Sequence, residues 1–282
     1  MITSKLNEKI KYINSLKNKK FRDKYGKYIL EGIKLVDEHI SSEGISAPEF
    51  IVLCKSLLVN NVGGETLYKK VSGFTNVLEV DELVFKFLTD TETPQGILVV
   101  LNKKESLITN LIKSINSGEK IVVLDCVSDA GNMGTIIRTA VSFNVKNIIC
   151  IKGTVDVYSS KVVRSAMGAL QKINIYYLDY NELEMLKENL RANEYKLVAT
   201  DLKADKYLNE CKISKKLVYV LGNEANGVSD KMKLLCDEYV KIPMEQTQES
   251  LNVGIAAGIL MYDAYVRGEW KIKQFITYKW IK

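Results

Sequence analysis

The feature that most constrains the fold is a series of short apolar runs that alternate with helix-like segments along the chain. In the C-terminal half these runs occupy residues 121–124, 147–151, 173–177, 196–200, 217–221 and 239–242. Continuous apolar runs of this length are typical of parallel strands that are buried on both faces. The pattern therefore predicts an α/β domain built on a mostly parallel sheet.

The N-terminal half shows the same alternation on a smaller scale. Strands are expected at residues 28–30, 50–53, 77–80 and 96–101, with helices at 33–40, 65–71 and 82–88 between them. This order predicts a small α/β domain with a largely covered sheet. We expect domains at 1–101 and 120–282, joined by a charged, partly helical linker at 102–119.

Composition narrows the range of functions. The 282 residues are 46% hydrophobic and 26% charged, as in ordinary globular proteins, and 40 basic against 34 acidic residues leave a mild excess of +6. The five cysteines are scattered, as expected for reduced core residues: Cys54, Cys126, Cys150, Cys211 and Cys236. With His39 the only histidine, neither a zinc site nor a histidine-based triad is expected. A signal peptide and a membrane-spanning run are both missing from the sequence, so a cytoplasmic protein is expected.

Three segments at the ends of predicted strands carry the candidate chemistry. In the first, Asp-Ala-Gly-Asn-Met-Gly-Thr-Ile-Ile-Arg at 129–138, Asn132 suits a loop or helix cap. Arg138 follows six residues later, about 600° around a helix, so the two side chains converge only if Asn132 lies in the loop. The ordinary interpretation is a capped helix with a solvent-facing arginine; the alternative is a phosphate clamp.

The second segment, Leu-Gly-Asn-Glu-Ala-Asn-Gly at 221–227, leaves a strand into a glycine-bearing turn whose backbone can approach a ligand closely. It is neither a P-loop nor a dinucleotide-binding glycine pattern. In the third, Ile-Pro-Met at 242–244 precedes Ser250-Leu-Asn252 at an expected helix start, where a serine cap is the ordinary interpretation. Small residues follow at Gly254, Ala256, Ala257 and Gly258.

Together the three segments resemble the signature of the SpoU (TrmH-like) RNA ribose 2′-O-methyltransferases of the SPOUT superfamily. The resemblance covers residues 121–266, and the first hundred residues, with Glu31-Gly32 and Pro94-Gln-Gly96, resemble the family's substrate-binding domain of the L30e type. It implies a C-terminal domain with a trefoil knot, S-adenosylmethionine as cofactor, and a homodimer in which the catalytic arginine reaches toward the partner's cofactor. Asn223 and Ala225 depart from the family's usual small residues and glycine beside Glu224.

The resemblance also implies roles for individual residues. The catalytic residues would be Arg138, Asn132, Glu224, Ser250 and Asn252. The cofactor would be held around Thr200, Leu221, Gly222, Ile242, Met244 and Leu251. RNA contacts would come from Lys161 and Arg164, and from Lys19, Lys20 and Arg22 in a basic stretch that is also interpretable as a solvated helix end. Because arginine scarcely deprotonates, Arg138 would grip a phosphate while the proton leaves through that phosphate, water or Glu224.

The implied reaction is 2′-O-methylation of a ribose in RNA, most readily in 23S ribosomal RNA. Transfer RNA is the main alternative substrate, and neither the nucleotide nor a link to antibiotic resistance is legible in the sequence. A non-catalytic RNA-binding protein with the same fold would be expected to lack Arg138 or Asn252, but both are present. An α/β enzyme acting on small molecules is disfavoured by the additional N-terminal domain.

Overall fold

The structure, a computed structural model, describes residues 1–42, 46–210, 216–245 and 250–269; Cys211 lies outside these ranges. The strands are β1 (Lys27–Glu31), β2 (Phe50–Leu53), β3 (Val77–Glu79), β4 (Ile97–Asn102), β5 (Lys120–Leu124), β6 (Val145–Ile151), β7 (Asn174–Leu178), β8 (Lys196–Thr200), β9 (Leu217–Leu221) and β10 (Glu238–Val240). The helices are α1 (Glu8–Ser15), α2 (Lys19–Tyr25), α3 (Ile33–Ser41), α4 (Lys55–Val59), α5 (Gly64–Val71), α6 (Glu82–Leu88), α7 (Ile108–Asn116), α8 (Ala130–Ser142), α9 (Ser160–Ser165), α10 (Tyr180–Ala192), α11 (Asp230–Leu235) and α12 (Val253–Glu269).

The first sheet has the strand order β1-β4-β2-β3. Strand β4 pairs antiparallel with β1 and β2, whereas β2 and β3 are parallel. Helices α1 and α6 cover one face with fully buried side chains that include Ile10, Ile13 and Phe85. Burial of such large apolar side chains contributes roughly 2 kcal/mol each, and it fixes α1 on the sheet.

The second sheet has the order β10-β8-β9-β5-β6-β7. Pairs β10–β8, β8–β9, β9–β5 and β5–β6 are parallel, which confirms the predicted mostly parallel sheet. Central strand β5 lies between β6, which follows it in the chain, and β9, which comes much later. In parallel α/β sheets ligands bind beyond the carboxyl ends of the strands near such a change of order. The loops after β5, β8, β9 and β10 are therefore the place to look for a site.

Packing divides the chain into two compact units that do not follow the chain order. One unit contains residues 1–105, 128–138 and 155–174, and the other contains 106–127, 139–154 and the described residues from 175 onward. The domain boundaries expected from the sequence, at 101 and 120, follow chain order and stay a prediction.

Arg22 in α2 has a structural role in the first unit. Only 5% of the residue is exposed, and its Nη1 donates to the carbonyls of Leu16 and Lys17 at 2.8 and 2.6 Å. Its Nε and Nη2 donate to Oδ2 of Asp156 at 3.1 and 2.6 Å. These protein acceptors occupy the guanidinium, so the assignment of Arg22 to the RNA contacts is corrected: its local sequence is basic, but its side chain points inward.

Replacement of Asp156 by alanine tests this role. The substitution strands a buried cation, so we expect Asp156→Ala to lower the free energy of unfolding by about 3–5 kcal/mol, measured by urea denaturation. Lys19→Ala is the matched control, because its pair with Asp23 is largely exposed and worth about 0.5 kcal/mol. Equal losses in the two variants would contradict a buried anchor.

Candidate active site

A cavity of about 490 Å³ lies in the second unit, beyond the carboxyl ends of β8, β9 and β10 and beside the start of α12. This volume falls within the range of about 300–1,000 Å³ that is usual for small-molecule sites. Its lining contains all six residues that the resemblance implies for the cofactor: Thr200, Leu221, Gly222, Ile242, Met244 and Leu251. Glu224 and Ser250, two of the implied catalytic residues, line the same cavity.

Residue 222, in the wall of this cavity, must be glycine because the backbone of Gly227 and Val228 passes very close to it. A Cβ atom at this position would lie 2.1 Å from the carbonyl carbon of Gly227 and 2.2 Å from the nitrogen of Val228. Real Cβ atoms do not approach backbone so closely, so any side chain here would push the loop at 222–228 away from its position. The loop can therefore keep its shape only with glycine at 222.

Asn223 organises the same loop. Its backbone exchanges two hydrogen bonds of 2.9 Å with Gly227, and its Oδ1 accepts from the backbone nitrogens of Ala225 and Asn226 at 3.0 and 3.2 Å. Its Nδ2 donates to the carbonyl of Cys126 at 2.9 Å, which ties the loop to the end of β5. A smaller residue would leave these backbone donors to water, so the departure from the family pattern at 223 has a local structural reason.

A buried carboxylate fixes the far end of this loop. Asp125, only 1% exposed, accepts from the backbone nitrogen of Ser229 at 2.7 Å and from the hydroxyl of Tyr180 at 2.8 Å. Burial raises the pKa of Tyr180 from 10.0 to about 12. The hydrogen bond with Ser229 opposes this rise, whereas the hydrogen bond with Asp125 and its charge add to it, so the hydroxyl remains a donor. Because the folded-state pKa is the higher one, this contribution to stability is complete below pH 10 and is lost between pH 10 and 12. We did not single out Asp125 or Tyr180 from the sequence.

An ion pair also lines the cavity. Asp201, directly after β8, accepts a hydrogen bond of 2.7 Å from Lys233 in α11. Burial raises the pKa of Asp201, but the hydrogen bonds from Lys233 and from the backbone of Lys203, together with the charges of both lysines, outweigh it, so the net pKa is lowered. The hydrogen bond that Lys233 donates to Asp201 raises the pKa of Lys233 in turn. Both groups therefore carry their charges at neutral pH. A carboxylate directly after a predicted strand was the available sequence signal for Asp201, as for Asp125.

Helix α8 places Asn132 differently from expectation. The helix begins at Ala130, and Oδ1 of Asp129 accepts from the nitrogen of Asn132 at 2.8 Å, so the capping side chain is that of Asp129. Asn132 thus lies in the first turn and not in the preceding loop, which corrects the geometry proposed for its convergence with Arg138. Arg138 lies six residues on, with an exposed side chain.

At the start of α12 the cap is Asn252 and not Ser250. Oδ1 of Asn252 accepts from the nitrogens of Gly254 and Ile255 at 2.9 and 3.3 Å. The expected serine cap is therefore wrong, although both residues lie at the helix start as predicted. Ser250 does not cap the helix, and its residue is exposed at the cavity.

The remaining predicted RNA contacts are surface cations. Lys161 in α9 is exposed and lies 3.7 Å from Asp129, and Lys19 and Lys20 are exposed at the start of α2. Arg164 in α9 is partly exposed; its Nη1 is buried without a hydrogen-bond partner among the described residues. The structure thus leaves four of the five cations at least partly accessible, the exception being Arg22.

Two kinds of feature are absent from the described ranges. No cluster of three or more histidine, cysteine or acidic residues there could hold a metal ion. Likewise, none of the described helices combines the length and apolar character that crossing a bilayer requires.

Comparison with known proteins gives concordant matches over both halves of the chain. Residues 119–262 match the family described as SpoU rRNA Methylase family, and residues 7–99 match the MRM3-like substrate binding domain. The chain is similar to the 23S rRNA (guanosine(2553)-2′-O)-methyltransferase RlmP of Bacillus subtilis (strain 168), with 31% identity covering 95% of this chain and 99% of that protein.

Two solved structures extend the comparison to three dimensions. The AdoMet-bound rRNA methyltransferase from Sinorhizobium meliloti is 29% identical, with a TM-score of 0.75 over 94% of this chain and 97% of that one. The SpoU methyltransferase AviRb from Streptomyces viridochromogenes has a TM-score of 0.79 at 22% identity, covering 93% of this chain and 98% of that one. The second likeness concerns the fold alone.

The contribution of Asn223 can be measured without any ligand. We expect Asn223→Ala to speed hydrogen exchange of the amides at 225 and 226 about tenfold, because each loses its side-chain acceptor. Asn226→Ala is the matched control, because the exposed side-chain Nδ2 of Asn226 lies 3.5 Å from Oδ1 of Asn223 and forms only a weak hydrogen bond with it. Exchange in the loop peptide is followed by mass spectrometry, and unchanged protection in Asn223→Ala would refute its organising role.

Proposed function

Because the chain belongs to the SpoU rRNA methylase family, we propose that it transfers a methyl group from S-adenosylmethionine to a ribose 2′-hydroxyl of RNA. The resemblance seen in the sequence and the SPOUT-type α/β fold are confirmed. The observation that carries the proposal is the cavity whose wall contains all six residues expected to hold the cofactor. A purely RNA-binding protein has no need of such a cavity.

Ribosomal RNA, and 23S RNA in particular, is the substrate we favour. The relative from Bacillus subtilis, named for a 23S ribosomal RNA activity, matches over almost its whole length. Residues 7–99 match a substrate-binding domain, which supports a large substrate over a small molecule. The cytoplasmic location expected from the sequence is part of this proposal, because a ribosomal substrate would be met there.

The residues around the cavity fit S-adenosylmethionine. That cofactor supplies a methyl group on a positively charged sulfur. An oxygen nucleophile attacks the methyl group in line and displaces the sulfur. The cavity has the size for a small-molecule ligand, and its lining combines apolar side chains such as Leu221 and Met244 with polar groups such as Thr200 and Ser250. The ordered loop at 222–228 offers backbone groups that need no rearrangement to meet a ligand.

Arg138 and Glu224 divide the catalytic work in this proposal. The guanidinium of Arg138 keeps its proton at neutral pH, so it cannot act as a base and is suited to hold a phosphate in a bidentate manner. Holding the phosphate orients the neighbouring ribose for attack, which is the main demand of this reaction. The proton leaves through that phosphate, through water, or through Glu224, whose carboxylate is exposed at the cavity. Asn132, Ser250 and Asn252 support this arrangement.

We also propose that the protein works as a homodimer. Helix α12 has an apolar, exposed stripe in which Ile255 is 56% and Tyr262 57% exposed, and the ring of Phe143 lies 5.8 Å from that of Tyr262. Large apolar side chains exposed in series mark association surfaces. A second copy would cover this stripe and bring its own Arg138 toward the cofactor. We further propose that the C-terminal domain contains a trefoil knot and that the domain boundaries lie at 101 and 120.

Cofactor binding is tested by calorimetry with S-adenosylmethionine. We expect the wild-type protein to bind, and Gly222→Ala to weaken binding about tenfold or more, because its methyl group displaces the loop backbone. Gly73→Ala is the matched control, since a Cβ there meets nothing within 4 Å. No binding by the wild-type protein would sink the enzymatic proposal.

The substrate is identified by mapping 2′-O-methyl groups in ribosomal and transfer RNA from cells with and without the gene. We expect one 23S site to be lost and to return with the wild-type gene, whereas Arg138→Lys, which removes bidentate phosphate binding, restores it roughly a hundredfold more slowly. A site lost only from transfer RNA would reassign the substrate. No lost site would contradict the activity itself, and near-normal turnover by Arg138→Lys would contradict the bidentate role.

A further inference from the structure

Four aromatic side chains form a continuous strip on the first unit, here called the aromatic strip: Phe21, Tyr25, Tyr12 and Phe50. The rings of Phe21 and Tyr25 are stacked, with centroids 6.2 Å apart and planes 15° from parallel. Tyr12 meets Tyr25 edge-on at 5.1 Å and Phe50 at 6.3 Å. Tyr25 is 38% exposed and the other three are partly exposed, so the strip faces solvent.

The buried position of Arg22 explains why α2 presents its aromatic residues outward. Arg22 anchors one side of the helix through Asp156 and two backbone carbonyls. Phe21 and Tyr25 are four residues apart and therefore share another side of the helix. The helix ends immediately afterwards at Gly26, whose φ of 64° suits glycine. The anchor thus fixes the orientation of the two stacked rings.

Lysine side chains accompany the strip. Nζ of Lys24 lies 5.2 Å from the ring centroid of Tyr25, and Nζ of Lys9 lies 5.6 Å from that of Phe50. Lys20 is exposed on α2, four residues before Lys24. Within the described ranges these three lysines form no ion pair. Their charges remain available to a polyanion.

The acidic groups beside the strip are already neutralised by other lysines. Asp23 accepts from Lys19 at 2.5 Å and from Lys103 at 2.7 Å. Glu49 accepts from Lys27 at 2.8 Å and from the hydroxyl of Tyr12 at 3.2 Å. The surface around the rings therefore has a net positive charge although two carboxylates are present.

We propose that the aromatic strip binds unpaired nucleotides of the substrate RNA, with bases stacked on Tyr25 and Phe21 and phosphates held by Lys9, Lys20 and Lys24. Exposed rings flanked by lysines suit single-stranded nucleic acid, because every base has a face that stacks and every linkage carries a charge. A protein partner would favour an apolar patch with few lysines around it. The proposal rests on the proposed function, for which it names the part of the RNA that the first unit holds.

Binding of a fluorescein-labelled single-stranded oligouridylate of about 12 nucleotides, followed by anisotropy, tests stacking. We expect Tyr25→Ala to weaken binding roughly 5- to 150-fold, the range for loss of one stacked base. Phe74→Ala is the matched control: Phe74 is also 38% exposed, but its ring contacts no other aromatic ring or cation among the described residues. Tyr25→Trp should retain the affinity and Tyr25→Leu should lose it, which separates stacking from apolar contact.

Salt dependence separates the role of the lysines from that of the rings. We expect the double variant Lys20→Ala/Lys24→Ala to reduce the slope of log affinity against log salt by about 1.4, roughly 0.7 per phosphate contact. Tyr25→Ala should lower the affinity and leave that slope unchanged, because the ring releases no counterion.

Wild-type affinity in Tyr25→Ala, or an equal loss in Phe74→Ala, would overturn the proposal. The variants should keep the circular dichroism spectrum and the urea unfolding midpoint of the wild type, which establishes that they are folded. Failure of the proposed function would be seen separately, as absent cofactor binding by the wild-type protein, while the oligonucleotide measurements would still report on the strip.

Discussion

The candidate site depends most on the hydrogen bonds that Asp125 forms. The backbone nitrogen of Asp125, one residue after β5, donates to the carbonyl of Leu221, and its two carboxylate oxygens accept from Ser229 and Tyr180. Because it is almost fully buried, both oxygens must be satisfied by protein groups. The cavity wall between 222 and 228 is thereby fixed at both ends, by Asp125 at one and by Asn223 with Gly222 at the other. Preorganisation of this kind lowers the entropy lost on ligand binding.

Most of the fold could be predicted from the sequence because it depends on local patterns. Strands β2, β8 and β9 and helix α6 have the predicted bounds, since each is an uninterrupted apolar or amphipathic run. The less regular ends shifted by one or two residues: β3 ends one residue before the predicted end, and β10 begins one residue earlier and ends two residues earlier than predicted. The six residues expected to hold the cofactor line one cavity, because they lie at or just after strand ends or just before α12; their cofactor role stays a prediction.

The interactions that sequence reasoning missed are those between distant residues. Asp125 reaches Ser229 across 104 positions, and Arg22 reaches Asp156 across 134, so neither pair leaves a local signal. Arg22 was assigned to RNA because its neighbours are lysines, yet only the tertiary fold determines which cation of α2 points inward. At α12 the choice between Ser250 and Asn252 as cap depended on where the first turn begins, which a pattern locates only within a few residues.

The unit that holds Arg22 is assembled from pieces of the chain that lie far apart, since residues 128–138 and 155–174 pack with the first 105. On the ribosome the chain emerges from the N-terminus at roughly 5–20 residues per second, and domains normally fold as they emerge. Asp156 follows Arg22 by 134 residues, so it leaves the exit tunnel roughly 7–27 seconds after Arg22 does. Final consolidation of the N-terminal part is thus delayed until more than half of the polypeptide has been translated.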